Sequence, residues 1–319
     1  MDRRSFLRAG AAGFLMAQTD GVTVEKTSAT KPNDSKSWSY QGGRSPWPLV
    51  LNTSTIRPAS LDDKIAAAKD AGFDGIELWI NELEKYEGDG GDLHDLGKKI
   101  HDAGLFVPNV IGLWQCMPPT QEELDASLEA TRNRMRMAAA VGSRHVAAIP
   151  QPDREDFDLK WGAACYRRLL SIAREEFGII TAFEFVGFFK GVHRLGQACA
   201  VAVDADDPDA CLIMDTFHLY RGGSGFEGVR HIQGHFIADF HWNDVPAEPP
   251  REQLGDEHRI LPGEGILPLE RTLKMLMEIR YDGPLSLEIF RRDYWERDPK
   301  DVARMGIDAM RNVVQKALG

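Results

Sequence analysis

From Trp47 onward, short runs of apolar and β-branched residues alternate with longer stretches whose apolar positions recur at helical spacing. The short runs are 49–53, 75–79, 106–111, 145–149, 179–185, 212–215, 237–241 and 285–289, each the length of a buried parallel strand. Between them, Ser60 with Asp63 and Thr120 with Glu123 place a hydroxyl and a carboxylate at the spacing that caps a helix start. Gly72, Gly104 and Gly142 follow helical runs and permit the left-handed turn that ends them. Eight strand-then-helix units without a Pro/Ser-rich linker predict one α/β domain, a (β/α)8 TIM barrel. An open doubly wound sheet fits less well, because no Gly-x-Gly-x-x-Gly follows the first strand.

Composition narrows the class. The 319 residues carry 38 basic and 49 acidic side chains, a formal net charge of −11, which disfavours a nucleic-acid partner. No apolar run reaches the roughly 20 residues of a membrane-spanning helix. Cys116, Cys165, Cys199 and Cys211 lack CxxC spacing, so buried thiols are expected, with a disulfide left open. At the N-terminus, Arg3-Arg4 precedes Phe6-Leu7 and a weakly apolar stretch, 9–17, resembling a twin-arginine export signal. Residues 1–43 are therefore set apart as signal and flexible tether, 44–319 as the barrel, and the expected location is periplasmic or exported.

In a barrel of this kind the chemistry gathers at the C-terminal ends of the strands. Four successive predicted strands end in Glu184, Asp215, His241 and Glu288, and barrel closure makes those ends neighbours. Each residue alone is more often a satisfied structural group than a ligand, but four in consecutive strands describe a divalent-metal cage. Three carboxylates and one imidazole suit Mn²⁺ first, with Mg²⁺, Co²⁺ and Zn²⁺ left open.

The segments EFVGFF (184–189), MDTFHLYRGG (214–223), FHWNDV (240–245), LPGEG (261–265) and YDGPLSLEIF (281–290) resemble the xylose isomerase-like barrel superfamily of sugar-phosphate isomerases and epimerases. That superfamily also includes endonuclease IV-type enzymes, inosose dehydratases and dehydroshikimate dehydratases. The resemblance runs from about Leu51 to Leu318 and is specific for the metal site, not for the substrate. It implies Glu184, Asp215, His241 and Glu288 as metal ligands and His218 as a substrate contact. It also implies a sugar isomerase or epimerase working through an enediolate, with Glu184 and Glu288 as acid and base. The runner-up is a lyase or dehydratase that expels a leaving group from a keto-sugar, keto-glycoside or inosose. Many epimerases follow the strand-seven histidine with a basic residue and an arginine, whereas here the run is His241-Trp242-Asn243-Asp244.

Other residues extend the site. Arg221 either grips a substrate oxygen or caps a loop, and Arg259 either folds back as a lid or sits on the surface. Asp244 either orients His241 or caps a loop. Asn52, Glu77, Trp79, Asn109 and Trp114 are candidate pocket residues that suit a sugar's hydroxyls and C–H faces. No dense basic cluster marks a phosphate site. The expected partner is a small-molecule sugar or keto-sugar, with homo-oligomerisation left open. A nuclease would need further histidine ligands and a basic groove, and a binding protein with a decayed metal site would not need all four ligands.

Overall fold

The computed structural model describes residues 38–319, and the expected export signal, with most of the expected tether, lies outside the described residues. Eight parallel strands close a barrel in sequence order. They are β1 (Leu49–Asn52), β2 (Gly75–Trp79), β3 (Asn109–Leu113), β4 (His145–Ala148), β5 (Ile180–Glu184), β6 (Leu212–Asp215), β7 (Ile237–Trp242) and β8 (Leu285–Leu287). The outer layer includes α1 (Leu61–Ala71), α2 (Ile80–Gly88), α3 (Leu93–Asp102), α4 (Gln121–Ala140), α5 (Leu159–Ile172) and α6 (Leu195–Asp204). It continues with α7 (Thr216–Arg221), α8 (Leu269–Glu278), α9 (Arg292–Trp295) and α10 (Pro299–Leu318). The expected single TIM barrel is the fold observed.

The helix boundaries follow local chemistry. Ser60 Oγ accepts the Asp63 N–H at 3.2 Å and Thr120 Oγ1 accepts the Glu123 N–H at 3.3 Å, so both expected caps form. Gly72, at φ +84°, ends α1 in the left-handed conformation that costs glycine nothing.

Two apolar clusters account for the layers. The larger fills the space between sheet and helices, while Ile111, Ala147, Ile149, Ala182 and Ile213 belong to a smaller one inside the barrel. Because a strand alternates faces with period two, the residue two beyond an interior one faces inward again, one layer higher. Ala182 is thus followed by Glu184, and Ile213 by Asp215. Adjacent strands hold these rows level: Asp215 is paired in register with His241, His241 with Ser286, and Asn52 with Glu77.

Two expectations are corrected. The third strand begins at Asn109, not 106, because Pro108 has no N–H for the ladder and Phe106 makes only an isolated bridge to Gly75. The packed body also includes residues 38–43, expected to be tether. Gln41 is buried, its Nε2 donating to Gly72 O at 3.1 Å and Asp74 Oδ2 at 2.6 Å while Arg311 Nε donates to its Oε1 at 2.8 Å. All four cysteines are free, three of them buried. No described helix is long and apolar enough to cross a membrane.

Candidate active site

Glu184 ends β5, Asp215 ends β6, His241 lies one residue before the end of β7, and Glu288 follows β8. Their side chains converge at the C-terminal mouth. The Nδ1 of His241 is 3.0 Å from Glu184 Oε1, 3.3 Å from Glu288 Oε2 and 3.7 Å from Asp215 Oδ2. Glu184, Asp215 and His241 each offer a ligand atom within 4.8 Å of the others. All four side chains are buried.

His241 is held from below. Its Nε2 lies 3.1 Å from Glu77 Oε1, and Glu77 also accepts from Asn109 Nδ2 at 2.7 Å, Asn52 Nδ2 at 2.7 Å and Ser286 Oγ at 2.5 Å. Burial alone would raise the Glu77 carboxyl, yet His241, Ser286 and Asn109 hold it below the usual range, so it is ionised and can only accept. The Nε2 therefore carries a proton. The opposite nitrogen, Nδ1, is buried without a hydrogen-bond partner and faces three carboxylates.

Charge balance points the same way. Glu77, Glu184, Asp215, Asp239 and Glu288 are buried around the Arg259 guanidinium and two imidazoles, His241 and His218. Burial pushes Glu288 well above the ordinary carboxylate range despite His241 and Arg259, and burial with the neighbouring Glu77 does the same to Asp239. Burial would also lower His241, but Glu288, Glu77 and Glu184 raise it well above its usual value. Protons thus make up a deficit of positive charge. An orphaned imidazole nitrogen among surplus carboxylates fits a divalent cation, which Glu184, Asp215, His241 and Glu288 could hold.

Arg259 returns over the site from the loop after β7. It is 1% exposed, and its Nη1 donates to Asp215 Oδ2 at 2.5 Å and Glu288 Oε2 at 2.7 Å. Its guanidinium also covers the Phe217 ring at 4.6 Å. It is therefore a buried counter-ion at the mouth, not a surface side chain. Burial alone would raise the Asp215 carboxyl, but Arg259 and His241 hold it well below the usual range.

The cavity above has a volume of about 560 Å³, with Glu184, Glu288, His218 and Arg259 among its lining residues and Trp79 and Trp114 on its wall. His218 Nε2 is 4.0 Å from Glu184 Oε1, and burial, aided by Arg259, keeps this imidazole below its usual pKa and neutral at pH 7. No protein group among the described residues donates a hydrogen bond to Glu184, whereas Glu288 accepts from Arg259 and, at 3.3 Å, from Asn52.

Two expected substrate contacts lie elsewhere. Asn109, at the start of β3 and not its end, points at Glu77 and does not line the cavity. Arg221 leaves α7 toward Leu254, whose carbonyl accepts from its Nε at 2.8 Å, and it too is absent from the cavity wall. Asp244 takes its loop-cap alternative: it accepts the backbone N–H groups of Val245, Gly263, Gly265 and Leu267. Glu77, expected in the pocket, instead occupies the position behind His241. Sequence reasoning missed Arg57, Phe290 and Trp295 on the wall, since none lies in a predicted strand end.

A closed (β/α)8 barrel with an acidic, histidine-containing centre at its C-terminal mouth defines an enzyme-like class of protein. The chain belongs to the xylose isomerase-like TIM barrel family, whose model matches residues 65–313. Among curated relatives, an inosose isomerase of Bacillus velezensis is 27% identical over 270 residues, 82% of this chain and 95% of that protein. A 3-dehydroshikimate dehydratase of Pseudomonas aeruginosa is 25% identical over 232 residues, 72% of this chain and 36% of that protein. The structure of the IOLI protein with a zinc atom superimposes with a TM-score of 0.77 at 24% identity, covering 84% of this chain and 98% of that one. An L-ribulose 3-epimerase gives 0.70 at 20% identity, covering 85% and 96%.

Proposed function

We propose that this protein is a divalent-metal-dependent isomerase or epimerase of a sugar or keto-sugar. The observation that carries the reading is the pair Glu184 and Glu288, both lining the cavity and flanking the orphaned His241 Nδ1 at 3.0 and 3.3 Å. The relatives named as an isomerase and an epimerase support it. A divalent ion held by Glu184, Asp215, His241 and Glu288 would polarise a carbonyl and its neighbouring hydroxyl and so acidify the C–H between them. The donor set suits Mn²⁺, and the neighbour with zinc keeps Zn²⁺ in the comparison.

The chain's own groups divide the proton work. Among the described residues no protein group donates a hydrogen bond to Glu184, which leaves its oxygens available to take a proton from the substrate carbon. Glu288, held by Arg259 and Asn52, is the fixed partner that returns one. His218 stands 4.0 Å from Glu184, placed to hydrogen-bond a substrate hydroxyl. Return to the same carbon from the far side epimerises it, and return to the adjacent carbon isomerises aldose and ketose.

Elimination is the second reading, favoured by the dehydratase relative and by His218, whose N–H could assist a departing oxygen. Incubating metal-loaded protein with ketoses and inososes in D₂O separates the two. Deuterium in a product of otherwise unchanged formula supports the isomerase, and loss of water supports the lyase. Export by the twin-arginine route stays part of the proposal, resting on Arg3-Arg4 and checked by fractionating cells that express Arg3→Lys/Arg4→Lys.

A further inference from the structure

We propose that the substrate is a keto-glycoside with a planar aromatic aglycone: its keto-sugar ring sits over Glu184 and Glu288, and the aglycone lies against the wall made by Trp79 and Arg57. This inference rests on the sugar-directed reading above and adds the class of group attached to the sugar.

Space comes first. The cavity of about 560 Å³ shares Arg57 and Trp79 with a second one of about 550 Å³, which runs past Lys64, Glu82 and Tyr86. Each alone has the volume of a site for a drug-sized ligand. A single sugar over the two glutamates leaves the wall and the second cavity unfilled.

The chemistry of the wall selects what fills it. Trp79 stacks on Trp114 with centroids 6.0 Å apart and planes 27° apart, and Phe290 meets Trp79 edge-on at 5.7 Å. The exposed guanidinium of Arg57 lies 5.4 Å from Trp79, 5.3 Å from Phe290 and 5.5 Å from Trp295. No carboxylate or other hydrogen-bond acceptor for it occurs among the described residues. Arg57 is therefore a flat cation held by ring faces and open to a further one.

A second sugar would need hydrogen-bond partners here, and the indoles do not supply them. Trp79 Nε1 already donates to Asn52 Oδ1 at 2.8 Å, and Trp295 Nε1 to Ser54 O at 2.8 Å. Both rings have spent their donors and present apolar surface. A planar aryl group covers those ring faces and stacks on the Arg57 guanidinium at once, a contact that a sugar makes only through its C–H face.

Calorimetric binding of phenyl β-D-glucopyranoside, methyl β-D-glucopyranoside and cellobiose to the metal-loaded protein tests this directly. The phenyl glucoside should bind about tenfold tighter than the methyl one and tighter than cellobiose, the preference expected of one extra aromatic contact. Arg57→Ala and Phe290→Ala should each shrink the phenyl-to-methyl ratio several-fold, with metal content and circular dichroism retained. Equal affinities for the two glucosides, no binding of either, or tighter binding of cellobiose would overturn the inference. Proton exchange on free ketoses distinguishes the failures: exchange without an aryl preference removes only the aglycone, and absence of exchange removes the sugar-isomerase reading itself.

Discussion

His241 and Glu77 face each other across the barrel at 3.1 Å, although 164 residues separate them in the chain. The contact assigns the Nε2 proton and leaves Nδ1 directed at Glu184, Asp215 and Glu288. Replacing Glu77 with Gln keeps the shape but allows the amide to present a donor to Nε2. Divalent-ion affinity should fall about 10- to 100-fold, the usual loss when a ligand's orienting partner is removed. Titration with Mn²⁺ followed by calorimetry checks this, and His241→Ala should lose affinity at least as severely.

Protonation of the four candidate ligands gives a second prediction. Carboxylates raise His241 well above its ordinary pKa, and burial raises Glu288. Those protons must leave when a cation is bound, so uptake should release protons and affinity should weaken as pH falls. Titrations in buffers of different ionisation enthalpy measure the number released.

Arg259 bridges Asp215 and Glu288 while 1% exposed, so Arg259→Ala would leave two buried carboxylates without their guanidinium. The metal-free protein should lose about 3–5 kcal/mol. Saturating divalent metal should recover part of that loss, because the ion replaces the missing positive charge. Thermal unfolding of wild type and variant, each with chelator and with Mn²⁺, reads the difference.

Far from the site, burial lowers His145 to about 4, against the hydrogen bond its Nδ1–H donates to Pro108 O at 3.1 Å. In the unfolded chain the ordinary value is about 6.5. The folded state thus resists protonation that the unfolded state accepts, so this contribution is complete above pH 6.5 and is lost as pH falls toward 4. The loss should reach about 2 kcal/mol by pH 5. His145→Asn should flatten the stability curve between pH 7 and 5 in urea titrations.

The strand ends were legible because burial and alternation act locally. Glu184, Asp215 and Glu288 interrupt apolar runs, and an unpaired charge there has no cheap explanation. Asn109 misled for an equally local reason: Pro108 delays the third strand, turning an expected strand end into a strand start. The Glu77–His241 pair and the return of Arg259 onto Asp215 depend on barrel closure and loop path, which no short-range pattern encodes. Asp244 shows the same limit, since four backbone N–H groups from 245 to 267 decide its role.

Proton exchange at the carbon beside a ketose carbonyl tests the central claim most directly. Metal-loaded wild type, Glu184→Gln and Glu288→Gln would be incubated in D₂O with a ketose that the wild type turns over, and metal content measured in parallel. The account predicts exchange by the wild type and its loss by at least about a hundredfold in Glu184→Gln, with a comparable loss of turnover in Glu288→Gln. Exchange at wild-type rates in both variants would contradict the assignment of these carboxylates as the acid and base.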